Sequence, residues 1–507
     1  MNCAFQDERH ERRSVYDNGL GVELVSVPAH YGAGANDGVY YPVGLLTIAG
    51  HLRRSIPGAS IRVVDLHHEP GHRPRADIVG ISSSSTLNYR NVLSLARQAK
   101  EAGATVVLGG PHVTQLADQV LRNRSGLVDF VIRGNGEVAF ERLVNAIQED
   151  RRLNAIPALS WRNASGEPIH NAPASTPWVY DAFVPLDLSA LSCGVEAYWD
   201  AFRHRIDRSV DAAFIVFTHF GCGYREMMLR RPINGRRLAN WCSYCSLNDP
   251  LSIRSGRAIV QETLGLLKST GVRQGSNVLL KCYGDNVGTQ QSMLRDLAAA
   301  IEERDEWRSY RIGWTFYAQS SRVSPDLIEL LRRVGTRNLY VGFDSADDEV
   351  QRLNGLGTSI TAHRRAVRLC KDAGIRIQAG FVLGCAGETR RSVENTVRFA
   401  EELAQEGVLE RVNSAILFVI PGSPAYSRLC EHEPWIAALD DLPTEEIQSH
   451  WIRHFCPDLG ADTEERFRIL RWAANRLDEL SPGPHASMGF ISERLALKGA
   501  PAEAVRA

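Results

Sequence analysis

Residues 213–245 read AFIVFTHFGCGYREMMLRRPINGRRLANWCSYC. The apolar run Ala213–Thr218 has the length and the Val, Ile and Phe content of a buried strand. Directly after it stands Cys222, followed by nineteen residues and then Cys242-Ser243-Tyr244-Cys245. Five more apolar runs follow: Val278–Cys282, Ile312–Ala318, Leu339–Phe343, Ile375–Val382 and Ala415–Val419. Helical stretches separate them near 259–269, 290–303, 324–334, 361–373 and 391–405. Ser324-Pro325 reads as an N-cap followed by proline in the first turn. Six βα units in series predict a parallel sheet curled into a partial (β/α)6 TIM-type barrel over 211–426. The chemistry of such barrels sits on loops that follow strands.

Three thiolates on one such loop can bind three irons of a [4Fe–4S] cubane and leave the fourth iron open. His219-x-x-Cys222 with Cys242-x-x-Cys245 is also a four-ligand set at zinc-ribbon spacing. Spacing alone leaves both open. Position favours iron–sulfur, because a zinc ribbon has no need to open a six-unit barrel. The other seven of the ten cysteines stand alone, too sparse for a disulfide scaffold and expected as free thiols.

Upstream, a second α/β pattern occupies 1–145. Strand-like runs at Val22–Val27, Ile61–Val64, Ile78–Ser82, Thr105–Leu108 and Phe130–Ile132 alternate with helical stretches at Gly44–Arg54, Asn88–Glu101 and Val113–Arg122. The pattern predicts a Rossmann-like domain, whose ligand would sit at the carboxyl ends of the strands. Those ends carry Ser82-Ser83-Ser84-Ser85-Thr86 and Gly109-Gly110, small residues that permit close approach of a large ligand or make a tight turn. Residues 146–210 read as a linker with a small hairpin around Asn163–Gly166 and a Pro-rich, irregular stretch at Ala172–Leu191. The region 427–507 reads as a mostly helical C-terminal domain, a cap or substrate lid.

With 58 basic and 59 acidic residues among 507, nothing suggests a broad attraction to nucleic acid or to a membrane surface. The polar N-terminus lacks an apolar signal-peptide region, and no run of about 18 apolar residues occurs, so a cytoplasmic location is expected.

Taken together, FTHFGCGYR…WCSYC resembles the cluster loop of radical S-adenosylmethionine (SAM) enzymes, T-x-x-G-C-P-Y-x-C-x-F-C. Glu226 stands where that family has its second cysteine, and an insertion over 226–241 separates Cys222 from the Cys242/Cys245 pair. VLLKCYGDN, YAQSSRVSPD, YVGFDSADDEVQRLN, GFVLGCAGETRRSVENT and VIPGSPAY resemble further family segments in order. The N-terminal block (YYPVGLLTIAGHLRR, ADIVGISSSST, TVVLGGPHVT, VDFVIRGNGEVAF) is similar to the cobalamin-binding domain fused to many of these enzymes. Asp65-x-His67 resembles a cobalt-ligand motif but follows the wrong strand, and Pro70 replaces its glycine.

The resemblance implies three cofactors: a [4Fe–4S] cluster on Cys222, Cys242 and Cys245, SAM, and cobalamin held without a protein histidine on cobalt. It implies Tyr244 near the adenine of SAM, and Asp285, Arg322 and Asp344 for SAM's polar groups or for substrate; a salt-bridge layer is the structural alternative. For cobalamin it implies Ser82, Ser83, Ser84, Thr86, Gly109, Gly110, Gly134 and Glu137. The implied reaction is methylation of an unactivated carbon, or of phosphorus, in a small-molecule biosynthetic intermediate. An external donor such as flavodoxin or ferredoxin would supply the electron. Radical rearrangement, cyclisation or ring contraction is the alternative within the family. Outside it stand a zinc-ribbon or corrinoid-binding protein without catalysis, and a Schiff-base barrel enzyme using Lys281.

Overall fold

The computed structural model describes residues 19–29, 38–149, 151–173, 186–229, 238–247 and 250–481. The polar N-terminus to residue 18, the middle of the insertion (230–237), most of the Pro-rich stretch (174–185) and the end of the C-terminal region (482–507) lie outside them. The chain divides into two compact units, with residues 19–29, 41–173 and 186–197 in the first and residues 38–40 and 198–481 in the second.

The first unit is built on a seven-stranded sheet of order β2-β1-β3-β4-β5-β6-β7. Its strands are β1 (Gly21–Ser26), β2 (Ser60–Asp65), β3 (Ile78–Ser82), β4 (Thr105–Gly109), β5 (Phe130–Ile132), β6 (Leu159–Arg162) and β7 (Pro168–His170). The first five are parallel, and β6 and β7 add an antiparallel hairpin to the same sheet. Val22, Leu24 and Val25 of β1 are wholly buried, as expected for a strand covered on both faces. Register aligns Ser26 with Asp65 and Ser82, and Ser82 with Gly109, so four strands end in one row of small or polar residues. The helix expected at Val113–Arg122 breaks into Pro111–Gln115 and Ala117–Asn123 around Leu116.

The second unit holds six parallel strands in sequential order: β8 (Ala212–Phe217), β11 (Asn277–Tyr283), β12 (Arg311–Gln319), β13 (Thr336–Asp344), β14 (Arg376–Leu383) and β15 (Leu409–Ile416). Two short strands, β9 (His219–Phe220) and β10 (Ser252–Ile253), pair beside them. Helices Gly256–Ser269, Gln291–Glu302, Pro325–Arg333, Ile360–Asp372 and Arg390–Gln405 connect successive barrel strands, giving the partial (β/α)6 barrel. Ser324 caps its helix by accepting from the Leu327 N–H at 3.2 Å. The last strand starts at Leu409, ahead of the apolar run at Ala415–Val419 that suggested it. Its first six residues, Leu-Glu-Arg-Val-Asn-Ser, include four polar ones, so a search for apolar runs passes over them. At the amino-terminal end of the barrel, Val39, Phe202 and Val210 pack with Ala213 of β8 and Leu279 of β11. Helices Pro424–His432, Thr444–Phe455 and Thr463–Glu479 form the C-terminal region. Among the described residues no helix is long and apolar enough to cross a membrane.

Candidate functional site: a thiol loop at the barrel mouth

The excursion carrying the three cysteines is closed at its base. β9 and β10 pair antiparallel, His219 with Ile253 and Phe220 with Ser252. Arg254 then returns to the barrel, where its N–H donates to the Thr218 carbonyl at 3.0 Å and its buried guanidinium pairs with Glu262 at 2.5 Å.

Between these anchors, Cys222 precedes the short helix Gly223–Leu229, and the far limb returns over 238–245. The Tyr224 hydroxyl donates to the carbonyl of Gly355 at 2.8 Å and to that of Asn240 at 3.3 Å, tying both limbs to the turn after residues 348–353. Gly357 is needed there: a Cβ on it would stand 2.3 Å from the Tyr224 oxygen, and its φ is +66°. Ser243 donates its N–H to the Asn354 carbonyl and its hydroxyl to the Asn354 side chain, both at 2.9 Å. The two described limbs, at Tyr224 and at 240–243, are therefore both clipped to the segment 354–355.

All three thiols are free and partly accessible. Burial pushes each of them up, Cys242 furthest, and Cys242 feels the charges of Asp344, Cys245 and Cys222. Backbone N–H groups already point at sulfur, from Arg225 and Tyr224 to Cys222 and from Leu247 to Cys245 at 3.4 Å. Mutually close thiols with N–H donors, protonated until an electropositive centre displaces the protons, suit a thiolate-bound metal group.

The geometry also separates the two metal readings. One zinc ion would hold sulfurs within about 4 Å of each other. No three of His219, Cys222, Cys242 and Cys245 bring donor atoms within 4.8 Å of one another. His219 packs flat against Gly284, with a ring nitrogen 3.0 Å from the Thr218 hydroxyl. Burial holds it at about 4, hence neutral. These donors stand wider apart than one tetrahedral zinc ion holds its ligands, and His219 is engaged with the barrel.

The residues expected for SAM gather around the same loop. Tyr244 and Asp344 are hydrogen-bonded to each other, and burial pushes the Asp344 carboxyl up to about 6. Asp344 ends β13 with φ +61°, at a register shift between Gly342 and Asp344, a strained backbone of the kind found at functional sites. The Asp285 carboxylate acts on Cys222 and Cys245, so it lies beside two of the thiols. Arg322 sits 6.0 Å from the centre of the Tyr224 ring. Phe217, Phe220 and Tyr283 form an aromatic cluster at the carboxyl ends of β8 and β11, with centroids 4.6 to 6.2 Å apart.

Deeper in the barrel stand side chains that apolar patterning does not reveal. Lys281 extends over the Tyr40 ring, its ammonium 4.0 Å from the centroid. Tyr317 and Tyr340 follow, with centroids 5.1 Å apart. Burial, then the charge of Arg411, pull Lys281 down to about 8. Glu388 is fully buried, accepts from the Gly384 N–H at 2.6 Å, and is pushed up to about 8 by burial.

In the first unit the expected cobalamin residues lie after the carboxyl ends of β3, β4 and β5, but several serve the fold. Gly110 has φ +106°, and a Cβ on it would meet the Ser83 carbonyl oxygen at 2.5 Å. Thr86 lies 3.0 Å from the His112 ring, and Ser84 accepts from Asn88 at 3.2 Å. Glu137 is buried, accepts from Thr47 at 2.8 Å, and is raised by burial. His67 is 2.9 Å from Asp65. Ser82 and Gly109 lie in the row of strand ends, and space is open beside Gly134. Among the described residues the Ser83 hydroxyl is buried without a hydrogen-bond partner.

These features define a class: a Rossmann-like unit joined to a partial βα barrel with three thiols at its mouth. A model of the B12 binding domain matches residues 33–144, and one of the Radical SAM superfamily matches residues 236–400. The chain thus joins a B12 binding domain to a radical SAM domain, the pairing of a cobalamin-dependent radical SAM enzyme. The second match begins beyond Cys222, as the displaced first cysteine would lead one to expect.

An uncharacterized methyltransferase of Pyrococcus horikoshii is 25% identical over 334 residues, 64% of each chain. An anaerobic magnesium-protoporphyrin IX monomethyl ester cyclase of Rubrivivax gelatinosus is 24% identical over 338 residues, 65% of this chain and 54% of that one. The chain thus spans less than two thirds of the length of either. The radical SAM methyltransferase TsrM of Kitasatospora setae, solved with cobalamin and a [4Fe–4S] cluster, shares the fold with a TM-score of 0.61 and 17% identity, over 82% of this chain and 78% of that one. The cobalamin-dependent SAM radical enzyme OxsB gives 0.63 and 14%, over 90% and 67%.

Proposed function

We propose that this chain is a radical SAM enzyme that transfers a methyl group to an unactivated carbon, or to phosphorus, of a small-molecule biosynthetic intermediate. The observation that carries the reading is the set of three thiols on a clipped loop after the first barrel strand, in a chain that also has a B12 binding domain. When bound, a [4Fe–4S] cluster with SAM supplies one-electron cleavage of a sulfonium bond, and cobalamin supplies a methyl carrier.

The protein's own part is to hold these groups. Cys222, Cys242 and Cys245 take the cluster, and the N–H groups of Tyr224, Arg225 and Leu247 stabilise charge on sulfur. Asp285, Asp344 and Arg322 offer charged groups of both signs to the amino and carboxylate ends of SAM. Tyr244, fixed by Asp344, presents an aromatic face. The Phe217–Phe220–Tyr283 cluster adds aromatic surface at the strand ends beside the cysteine loop. Ser82, Ser83, Gly109 and Gly134 are the first unit's candidates for the corrin. An external flavodoxin or ferredoxin supplies the electron.

The cyclase relatives favour one second reading, ring closure without methyl transfer. The test is anaerobic reconstitution followed by incubation with methyl-labelled SAM, a reductant and hydroxocobalamin. About four iron and four sulfide per chain, with label moving from SAM, is the expected result. SAM cleavage without label transfer would favour ring closure, and zinc in place of iron would overturn both readings.

A further inference from the structure

Lys281 is a buried cation whose position the proposed chemistry at the thiols does not explain. It lies near the middle of β11 on the face that also carries Leu279 and Tyr283, alternating with the fully buried Leu280 and Cys282. Register sets it beside Thr315 of β12, and two residues further on Tyr317 lies beside Tyr340 of β13. Four residues beyond Tyr340 is Asp344, which adds to burial in raising the Tyr340 phenol and also meets Tyr244 and Cys242. One file of side chains therefore runs from the cysteine loop down to Lys281.

Lys281, Tyr317, Tyr340, Asp344 and Tyr244 are each half-buried, while the apolar residues that alternate with Lys281 and Tyr317 along their strands, Leu280, Cys282, Phe316 and Ala318, are buried. Lys281 makes only ring contacts, 4.0 Å to Tyr40 and 5.9 Å to Tyr317, and among the described residues no carboxylate pairs with it. The charge of Arg411 of β15, of its own sign, also acts on it. An ammonium in such a place is costly unless an anion neutralises it.

We propose that Lys281, with Arg411 adding positive potential, seats an anionic group of the substrate, a carboxylate or a phosphate, at the inner end of the barrel. The phenols of Tyr317 and Tyr340 line the path from it to the thiol loop. The anion's contact with Lys281 then sets how far the substrate enters and which of its atoms stops beside Tyr244 and Asp344. This inference names the substrate class for the reaction proposed above and rests on that reading for its function, while the anion contact itself is measured without turnover.

The test uses the full chain, anaerobically reconstituted, with three probes of one shape: benzoate, phenyl phosphate and uncharged benzamide. Acetylation of Lys281 by acetic anhydride is followed by peptide mass spectrometry, and probe affinity by ligand-observed NMR. At least one anion should protect Lys281 and bind about tenfold more tightly than benzamide. That preference should vanish in Lys281→Met and survive in Lys281→Arg, with melting temperatures recorded to show that both variants fold. Protection by benzoate but not phenyl phosphate assigns a carboxylate, and the reverse assigns a phosphate. Equal binding of benzamide and both anions, or anion binding unchanged in Lys281→Met, overturns the proposal. Iron content and SAM cleavage of the same wild-type preparation separate the two failures. No iron sinks the radical reading alone, whereas normal cleavage with no anion preference sinks this one alone.

Discussion

The carboxyl ends of the two parallel sheets look alike in sequence, but the structure uses them differently. At the first sheet, many of the small and polar residues answer needs of the fold. Gly110 makes room for the Ser83 carbonyl, Glu137 is tied to Thr47, and Thr86 meets His112. At the barrel mouth, Cys222, Cys242, Cys245, Asp285, Tyr244 and Asp344 interact with one another around one place. The lesson is that small residues at strand ends serve turns as readily as ligands, whereas a convergence of thiols and carboxylates from separate elements has little structural use. Such groups repel or lose solvation unless something binds among them.

Replacing Cys222, Cys242 and Cys245 together by alanine puts this contrast under its severest strain. Bound iron and SAM cleavage should both disappear, while the first unit still retains corrin through desalting. Metal analysis and absorption spectra read both. Loss of corrin as well would show that the two regions are not independent in the way their separate cores suggest.

The next effect belongs to the first sheet. Gly110→Ala adds a Cβ 2.5 Å from a backbone oxygen at φ +106° and should cost at least about 4 kcal/mol in a denaturant titration. Gly134→Ala, also at positive φ but with nothing within 4 Å, should cost about 1 kcal/mol. If Gly134→Ala also abolishes corrin retention, Gly134 serves the ligand; if only Gly110→Ala does so, the loss follows from misfolding.

The periodicity that predicts both sheets was legible because parallel strands buried on both faces are continuous apolar runs, as at Ile78–Ser82 and Ala212–Phe217. β15 was misplaced for the converse reason: its polar half, with Arg411 among it, lies where no apolar run marks it. Cys222, Cys242 and Cys245 were legible from their order along the chain. The means by which nineteen intervening residues close was not, because it depends on Tyr224 meeting Gly355, more than a hundred positions away. Glu388 was quoted only as part of a motif, since its burial against the Gly384 N–H is a tertiary fact. Glu137 was legible only through the resemblance of its segment to a cobalamin-binding domain, and its bond to Thr47 comes from a helix ninety residues earlier.

Glu388 supplies a pH test of the barrel alone. Burial raises its carboxyl from 4.5 to about 8, so the folded state binds the proton more tightly than the unfolded chain does. The associated stability is fully present below pH 4.5 and is lost as the pH rises toward 8. Between pH 5 and 7 the loss should reach on the order of 2 kcal/mol. Glu388→Gln, which still accepts from Gly384, should flatten that part of the profile. A profile of the same slope in the variant would assign the pH dependence to other groups.

The smallest effect probes how the insertion is clipped. Tyr224→Phe keeps the ring beneath Gly357 and removes two hydrogen bonds to carbonyls, at 2.8 Å to Gly355 and 3.3 Å to Asn240. Global stability should fall by about 1 kcal/mol, because each lost bond leaves a carbonyl to find another partner. The effect on the cluster should be larger than on the fold, since those bonds hold Cys222 and the Cys242–Cys245 limb in one frame. Under limiting iron the variant should incorporate less metal than wild type and lose it faster to a chelator. Unchanged iron retention alongside the 1 kcal/mol loss would mean that β9, β10 and the Ser243–Asn354 contacts suffice to hold the loop. The clip would then belong with Gly110 of the first sheet, as a device of folding.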